Sequence, residues 1–195
     1  MGREKGSRSS SSYKVVILAG GRSRRFGVDK CSFEWNGRSF LDRLLEEFTG
    51  LEVFVITDRP RRYPNEILDK TLKGPFVALN EFVKGNAIGG KLFVVGCDHP
   101  FATRKLAEVL CSFEREAVVP LKAGRPQYSL ACYKSDVIRE GCTSFRECIK
   151  SPLFLSPREL IYYGIHEIVL FSANSPRDLI PVSYTHLTLP TNREV

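Results

Sequence analysis

Val15-Val16-Ile17-Leu18-Ala19-Gly20-Gly21-Arg22-Ser23-Arg24-Arg25-Phe26-Gly27-Val28-Asp29-Lys30 passes from a continuous apolar run into a glycine-rich, cationic segment. The apolar half has the length and residue types of a buried strand. The second half places three glycines, three arginines and a lysine between Gly20 and Lys30. Glycines let backbone N–H groups approach phosphate oxygens closely, and Arg and Lys neutralise their charge. The segment is therefore built for a small anionic ligand, a nucleotide before others. A tight turn with a solvated basic face is the plainer alternative.

Working outward, apolar runs alternate with helical patterns. Lys14 to Leu18 reads as a strand. Phe40, Leu41, Leu44, Leu45 and Phe48 recur at helical spacing, and the helix ends near Gly50. Val53 to Thr57 is a second strand. A helix entered through Gly74-Pro75 closes near Gly85, and Leu92 to Gly96 is a third strand running into Cys97-Asp98-His99-Pro100. A helix from about Thr103 to Phe113 and a strand from Ala117 to Leu121 follow. Leu130 to Tyr133, Ser144 to Ile149 and Ile165 to Phe171 suggest further strands and a helix. This alternation predicts an α/β domain with a mostly parallel sheet. Right-handed crossovers then place the Gly20 loop and Asp98 on one sheet edge.

Composition bounds the rest. The chain has 195 residues, 43% of them hydrophobic, which suits a single domain with a full core. No apolar run approaches the roughly 20 residues of a membrane span, so no membrane role is expected. Residues 1–12 are basic and Ser-rich without an apolar core segment, and read as a disordered tail, not a secretory signal. The domain is expected over 13–181. Residues 182–195, beginning Val182-Ser183-Tyr184-Thr185-His186, look like an in-frame adaptor-derived tail and are set aside. The net charge of +7 includes +2 from residues 1–12. No Lys/Arg run with interleaved aromatics appears, so nucleic acid is not expected as partner. Six scattered cysteines without a C-x-x-C pair argue against a zinc site. They read as small core residues in a reduced, cytoplasmic setting.

The glycine loop is neither of the two commonest kinds. Gly27 is followed by Val28-Asp29-Lys30, not by Lys-Ser/Thr, and G-x-G-x-x-G spacing is missing. Leu18-Ala19-Gly20-Gly21-Arg22-Ser23-Arg24-Arg25-Phe26-Gly27-Val28-Asp29-Lys30 does resemble the L-A-G-G-x-S-x-R-[MF]-G-x-D-K opening of molybdenum cofactor guanylyltransferases, the MobA family. Four further segments are similar to family motifs, in order: Asn36-Gly37, Asp69 with Gly74-Pro75, Cys97-Asp98-His99-Pro100-Phe101, and Asn174-Ser175-Pro176-Arg177-Asp178-Leu179. Together they cover roughly residues 14–180.

That resemblance implies a three-layer α/β/α Rossmann-like nucleotidyltransferase fold. It implies transfer of GMP from GTP to molybdenum–molybdopterin, with Mg²⁺ as cofactor and release of pyrophosphate. Catalytic residues would be Lys30, Arg25 and Asp98. Nucleotide contacts would come from Leu18, Ala19, Gly20, Gly21, Arg22, Lys30, Asp69 and Asp98, and metal ligands from Asp98 and Asn174. Molybdoenzymes or other cofactor-biosynthesis proteins are implied as protein partners. Each assignment has a plainer counterpart. Asp98 can be a turn or capping residue before Pro100, and Asn174 can cap a helix begun at Ser175-Pro176. Asp69 can be a surface carboxylate, and exposed arginines can be merely solvated.

The chain also departs from the pattern. Ile56 stands where some members carry Asn, leaving Thr57 or Asp58 as candidate substitutes for a nucleotide contact. Arg125 to Leu130 only loosely resembles the loop that faces the pterin. His99 and His166 fit no triad, and no catalytic base is assigned; a phosphate nucleophile is already ionised. Two alternatives remain open: a CTP-dependent molybdopterin or sugar-phosphate transferase of the same fold, and a nucleotide-binding subunit without turnover.

Overall fold

The computed structural model describes residues 13–20, 29–138 and 142–179. In chain order the elements are β1 (Tyr13–Leu18), β2 (Glu34–Trp35), β3 (Arg38–Ser39), α1 (Phe40–Glu47), β4 (Val53–Thr57), β5 (Glu66–Leu68), α2 (Pro75–Gly85) and β6 (Lys91–Gly96). They continue with α3 (Arg104–Ser112), β7 (Ala117–Lys122), β8 (Arg125–Pro126), β9 (Leu130–Lys134), α4 (Phe145–Cys148), β10 (Leu153–Leu155) and α5 (Pro157–Tyr162).

The main sheet runs β10-β7-β9-β6-β1-β4-β5, with β8 paired to β7. β1 is central and parallel to both β4 and β6. β9 alone reverses the run, lying antiparallel between β6 and β7. The mostly parallel α/β sheet expected from the sequence is thus present, with one inserted antiparallel strand. β5 and β10, three residues each, lie at the two edges and are too short to leave a periodic signal. The Ile165–Phe171 stretch forms a 3₁₀ turn at Glu167–Leu170 instead of a strand.

Alternation along β1 divides the core into two layers. Val15 and Ile17 face one way and pack with Leu41, Leu44, Phe48, Leu106 and Leu110 from α1 and α3. Val16 and Leu18 face the other and pack with Phe76, Leu79 and Phe82 from α2. A strand buried on both faces has to be apolar at every position, which is why Val15–Leu18 shows no polar alternation. Helix starts follow local chemistry. Ser39 Oγ accepts from Asp42 N at 3.0 Å and Thr103 Oγ1 from Leu106 N at 3.2 Å, caps worth about 1 kcal/mol each. Asn36 and Gly37, both at positive φ, make the tight turn between β2 and β3.

Two disulfides, Cys111–Cys132 and Cys142–Cys148, correct the expectation of six reduced thiols. Cys111 on α3 and Cys132 on β9 are brought together by helix-on-sheet packing, which cysteine spacing does not encode. Cys31 and Cys97 are free and buried. No helix among the described residues is long and apolar enough to cross a membrane.

Candidate active site

The carboxyl ends of β5, β4, β1 and β6 lie side by side, and the polar residues that follow them form the site. Leu18 pairs with Gly96, and Cys97 N donates to Leu18 O at 3.2 Å. The glycine loop and Asp98 therefore leave adjacent strands. Ala19 is buried and Gly20 exposed at the loop's start. Gly21, Arg22 and Arg25 lie outside the described residues, as do the tails 1–12 and 182–195.

Asp98 is half-buried. Its Oδ2 accepts from Ser172 Oγ at 2.9 Å, and its backbone carbonyl accepts from Ala173 N at 2.8 Å. Burial alone would raise the Asp98 pKa; the His99 ring, the Lys30 ammonium and the Ser172 hydroxyl outweigh it and hold the carboxyl below the usual range. Lys30 also acts on the Asp178 carboxylate, whose pKa is lowered chiefly by the Asn174 N–H. The Lys30 charge thus favours the ionised form of both carboxylates.

Asp98 is also a turn residue: His99 N donates to Gly96 O at 2.9 Å, closing a turn through Cys97 and Asp98. His99 is 1% exposed, and burial pushes its pKa down against the pull of Asp98. Its Nδ1 lies 3.1 Å from Phe171 O and its Nε2 3.2 Å from Ser129 Oγ. A carbonyl can only accept, so Nδ1 carries the proton and Nε2 accepts from the serine hydroxyl. A ring with both nitrogens so occupied orients its neighbours and has no free site for substrate.

Asn174 does not cap the following 3₁₀ turn. That role falls to Asp178, whose Oδ2 accepts from Asn174 N at 2.7 Å and Ser175 N at 2.8 Å. The Asn174 side chain instead reaches Ser172 Oγ, Nδ2 to oxygen 3.5 Å, the same hydroxyl that holds Asp98. Asp98 and Asn174 are brought to one place and offer oxygen donors, the set a hard cation such as Mg²⁺ takes. Among the described residues no group of three or more His, Cys, Asp or Glu side chains could hold a metal ion. A Mg²⁺ here would complete its shell with water and substrate phosphates, as that ion commonly does.

Over the carboxyl ends of β1, β4 and β5 lies a cavity of about 800 Å³ lined by Leu18, Gly20, Ile56, Asp58, Asp69 and Pro75, among others. Its volume lies within the ordinary range for small-molecule sites. Asp69 is half-buried, and its Oδ1 accepts from Thr71 N, Thr71 Oγ1 and Leu72 N at 2.8, 2.7 and 3.3 Å. One oxygen thus shapes the local turn, while Oδ2 accepts no hydrogen bond from a described residue. Of the two candidates to replace the missing Asn, Thr57 is fully buried and bonded to Arg59 O and Arg61 Nε. Asp58 lines the cavity. Thr57 pairs with Leu68, so Asp58 and Asp69 are the next residues out on neighbouring strands.

One residue was missed by sequence reasoning. Arg61 lies in an Arg-Pro-Arg-Arg run that reads as surface charge, yet its side chain is only 7% exposed and ion-paired to Asp29. No local signal distinguishes it from Arg59 or Arg62.

Comparison with known proteins agrees with the architecture. Residues 15–156 match the family model described as MobA-like NTP transferase domain. A Bacillus cereus (strain AH187) protein named "Probable molybdenum cofactor guanylyltransferase" is 30% identical over 154 residues, covering 70% of this chain and 76% of that protein. One of the same name from Bacillus velezensis is 31% identical over 136 residues, covering 63% and 67%. Among solved structures, molybdopterin-guanine dinucleotide biosynthesis protein A from Archaeoglobus fulgidus superposes with a TM-score of 0.75 at 20% identity, covering 90% of this chain and 100% of that one. The 2-C-methyl-D-erythritol 4-phosphate cytidylyltransferase from Thermus thermophilus gives 0.61 at 16%, covering 90% and 98%. At those identities the structures establish the fold.

Proposed function

The chain belongs to the family of MobA-like NTP transferase domains, and from that premise we propose that it transfers GMP from GTP to molybdenum–molybdopterin. What supports this reading is that Asp98, just past β6 and linked to Asn174 through Ser172 Oγ, lies at the same sheet edge where the ends of β1, β4 and β5 line a cavity holding Asp58 and Asp69. In the reaction a phosphate oxygen of the acceptor attacks the α-phosphorus of GTP. The bond from that phosphorus to its leaving bridge oxygen breaks, and pyrophosphate departs with the electron pair. The nucleophile is already ionised, so no general base is required. Catalysis then consists of positioning and of stabilising dispersed negative charge.

Each residue has a defined part. Gly20 lets the ends of β1 and β4 lie close together, since a Cβ there would lie 3.3 Å from Asp58 N. Lys30, with Arg22 and Arg25 in the loop, neutralises the triphosphate. Asp98 and Asn174 would hold Mg²⁺, which would supply Lewis-acid stabilisation of the phosphate charge. Both Asp58 carboxylate oxygens accept from the Arg59 guanidinium, at 3.1 and 3.3 Å, which leaves the Asp69 carboxylate to read the base. The guanine edge presents two adjacent donors, N1–H and N2–H₂, whereas cytosine and adenine each place an acceptor beside their amine. An acceptor-only carboxylate at Asp69 therefore favours guanine.

The test offers each nucleoside triphosphate with Mg²⁺ and molybdopterin and follows pyrophosphate release. GTP is expected to be preferred. Preference for CTP would replace this reading with cytidylyl transfer, and nucleotide binding without release for any acceptor would replace it with a binding subunit.

A further inference from the structure

The Arg61 guanidinium makes hydrogen bonds with every N–H it has. Nε donates to Thr57 Oγ1 at 2.9 Å. One Nη2 proton goes to Ala19 O at 3.2 Å and the other to Asp29 Oδ1 at 3.0 Å. Nη1 donates to Asp29 Oδ2 and to Ser32 Oγ, the latter at 3.1 Å. A guanidinium has five N–H donors, and this set uses all five. None is left for a phosphate.

The partners have a common location. Ala19 is where the chain leaves β1, and Asp29 is where it returns, ten residues later, immediately before Lys30. Asp29 is also the cap of the 3₁₀ turn Lys30–Ser32, accepting from Cys31 N at 3.2 Å and from Ser32 Oγ at 2.9 Å. Arg61 therefore ties the exit and the return of the glycine loop to the end of β4. Arg61 is itself held by Glu66, whose carboxylate accepts from the backbone N–H groups of Arg61, Arg62 and Tyr63 at 2.6, 2.7 and 3.3 Å. The connection runs Glu66, Arg61, Asp29, Lys30.

We propose that Arg61 is a positioning residue: through Asp29 it closes the base of the glycine loop and sets Lys30 against Asp98, without touching substrate. A planar fork is required, because an ammonium has three donors on one atom and cannot fill the five contacts to Thr57, Ala19, Ser32 and both Asp29 oxygens. The catalytic half of this inference rests on nucleotidyl transfer as proposed above; the anchoring half does not.

The experiment compares wild type, Arg61→Gln, Asp29→Asn, the double variant and Arg61→Lys by two readouts. The first is limited trypsinolysis without nucleotide, scored by mass spectrometry at Arg22, Arg24 and Arg25 against sites elsewhere. Cleavage within the loop is expected to speed up about 10-fold in each variant, with other sites unchanged; that factor corresponds to losing a modest anchoring free energy. The second is kcat/KM with GTP, expected to fall about 100-fold in both single variants, the effect of displacing a reacting group by about 1 Å. The double variant should be no worse than either single one, and Arg61→Lys should not restore activity.

Unchanged loop cleavage in both single variants would overturn the proposal, as would acceleration spread evenly over the chain. So would an Asp29→Asn enzyme within about twofold of wild type beside an inactive Arg61→Gln, the pattern of a substrate contact. If wild type turns over no nucleotide, nucleotidyl transfer fails while proteolysis still decides the anchor.

Discussion

A Cβ on Gly96 would stand 2.3 Å from Asp98 Oδ1, closer than two such atoms can approach. Gly96 ends β6, and its bare α-carbon lets the Asp98 carboxylate fold back over the strand end beside the glycine loop. The clashing oxygen is the end of a side chain, so Gly96→Ala can be accommodated only by swinging the carboxylate away. Turnover of Gly96→Ala should drop about 100-fold, while cooperative thermal unfolding is kept. Full activity in this variant would mean that the carboxylate orientation described here is not the working one.

Asp98→Asn keeps the shape and the Ser172 contact and removes the charge. Turnover should fall by about 100-fold or more, in line with loss of one preorganised electrostatic group, with GTP affinity changed by much less. Nucleotide titration beside steady-state kinetics checks both. Undiminished turnover would remove the proposed metal role, and an equal loss of binding would recast Asp98 as a nucleotide contact.

How far the sequence carried this reading follows from which contacts are local. Val15–Leu18, Val53–Thr57 and Leu92–Gly96 are apolar at consecutive positions because each is covered on both faces, and that signature survives in one dimension. Gly20 and Asp98 each come two residues after the end of such a strand, so the shared edge of the Gly20 loop and Asp98 was legible. The edge strands β5 and β10 were not, being too short for any period. Nor was Arg61: its partner Asp29 lies 32 residues away, and only the parallel pairing of β1 with β4 brings the two together. Asp69 was legible as a candidate, but not that Thr71 and Leu72 consume one of its oxygens.

Oδ2, which accepts from no described residue, gives Asp69 a defined test. If Oδ2 accepts from the guanine edge, Asp69→Asn places a donor against a donor. Selectivity for GTP over ATP should then fall about 10- to 100-fold, the scale of an unpaired polar contact in a site. Inosine triphosphate, which lacks the N2 amine, should lose less than GTP does on going from wild type to variant. Identical losses for the two nucleotides would show that the amine is not read by Asp69.

The Asp29–Arg61 pair also predicts how stability depends on pH. Burial alone would raise the Asp29 pKa, but hydrogen bonds from Arg61, Ser32 and the Cys31 N–H, with the Arg61 charge, hold it below the ordinary range. The other charges nearby are Arg59, which feels Asp29, and Asp58, 3.7 Å from Arg61. Between the unfolded carboxylate pKa, about 3.9, and the lower folded value, the unfolded chain binds the proton and the folded chain does not. Stability from this site is therefore fully present above about pH 5 and is lost as pH falls through that window. Asp29→Asn has no proton to exchange there. Its deficit in urea unfolding free energy against wild type should be constant from about pH 5 to 7 and shrink steadily below about pH 4. Parallel curves down to pH 3 would mean that the pair contributes no folded-state preference for the ionised carboxylate.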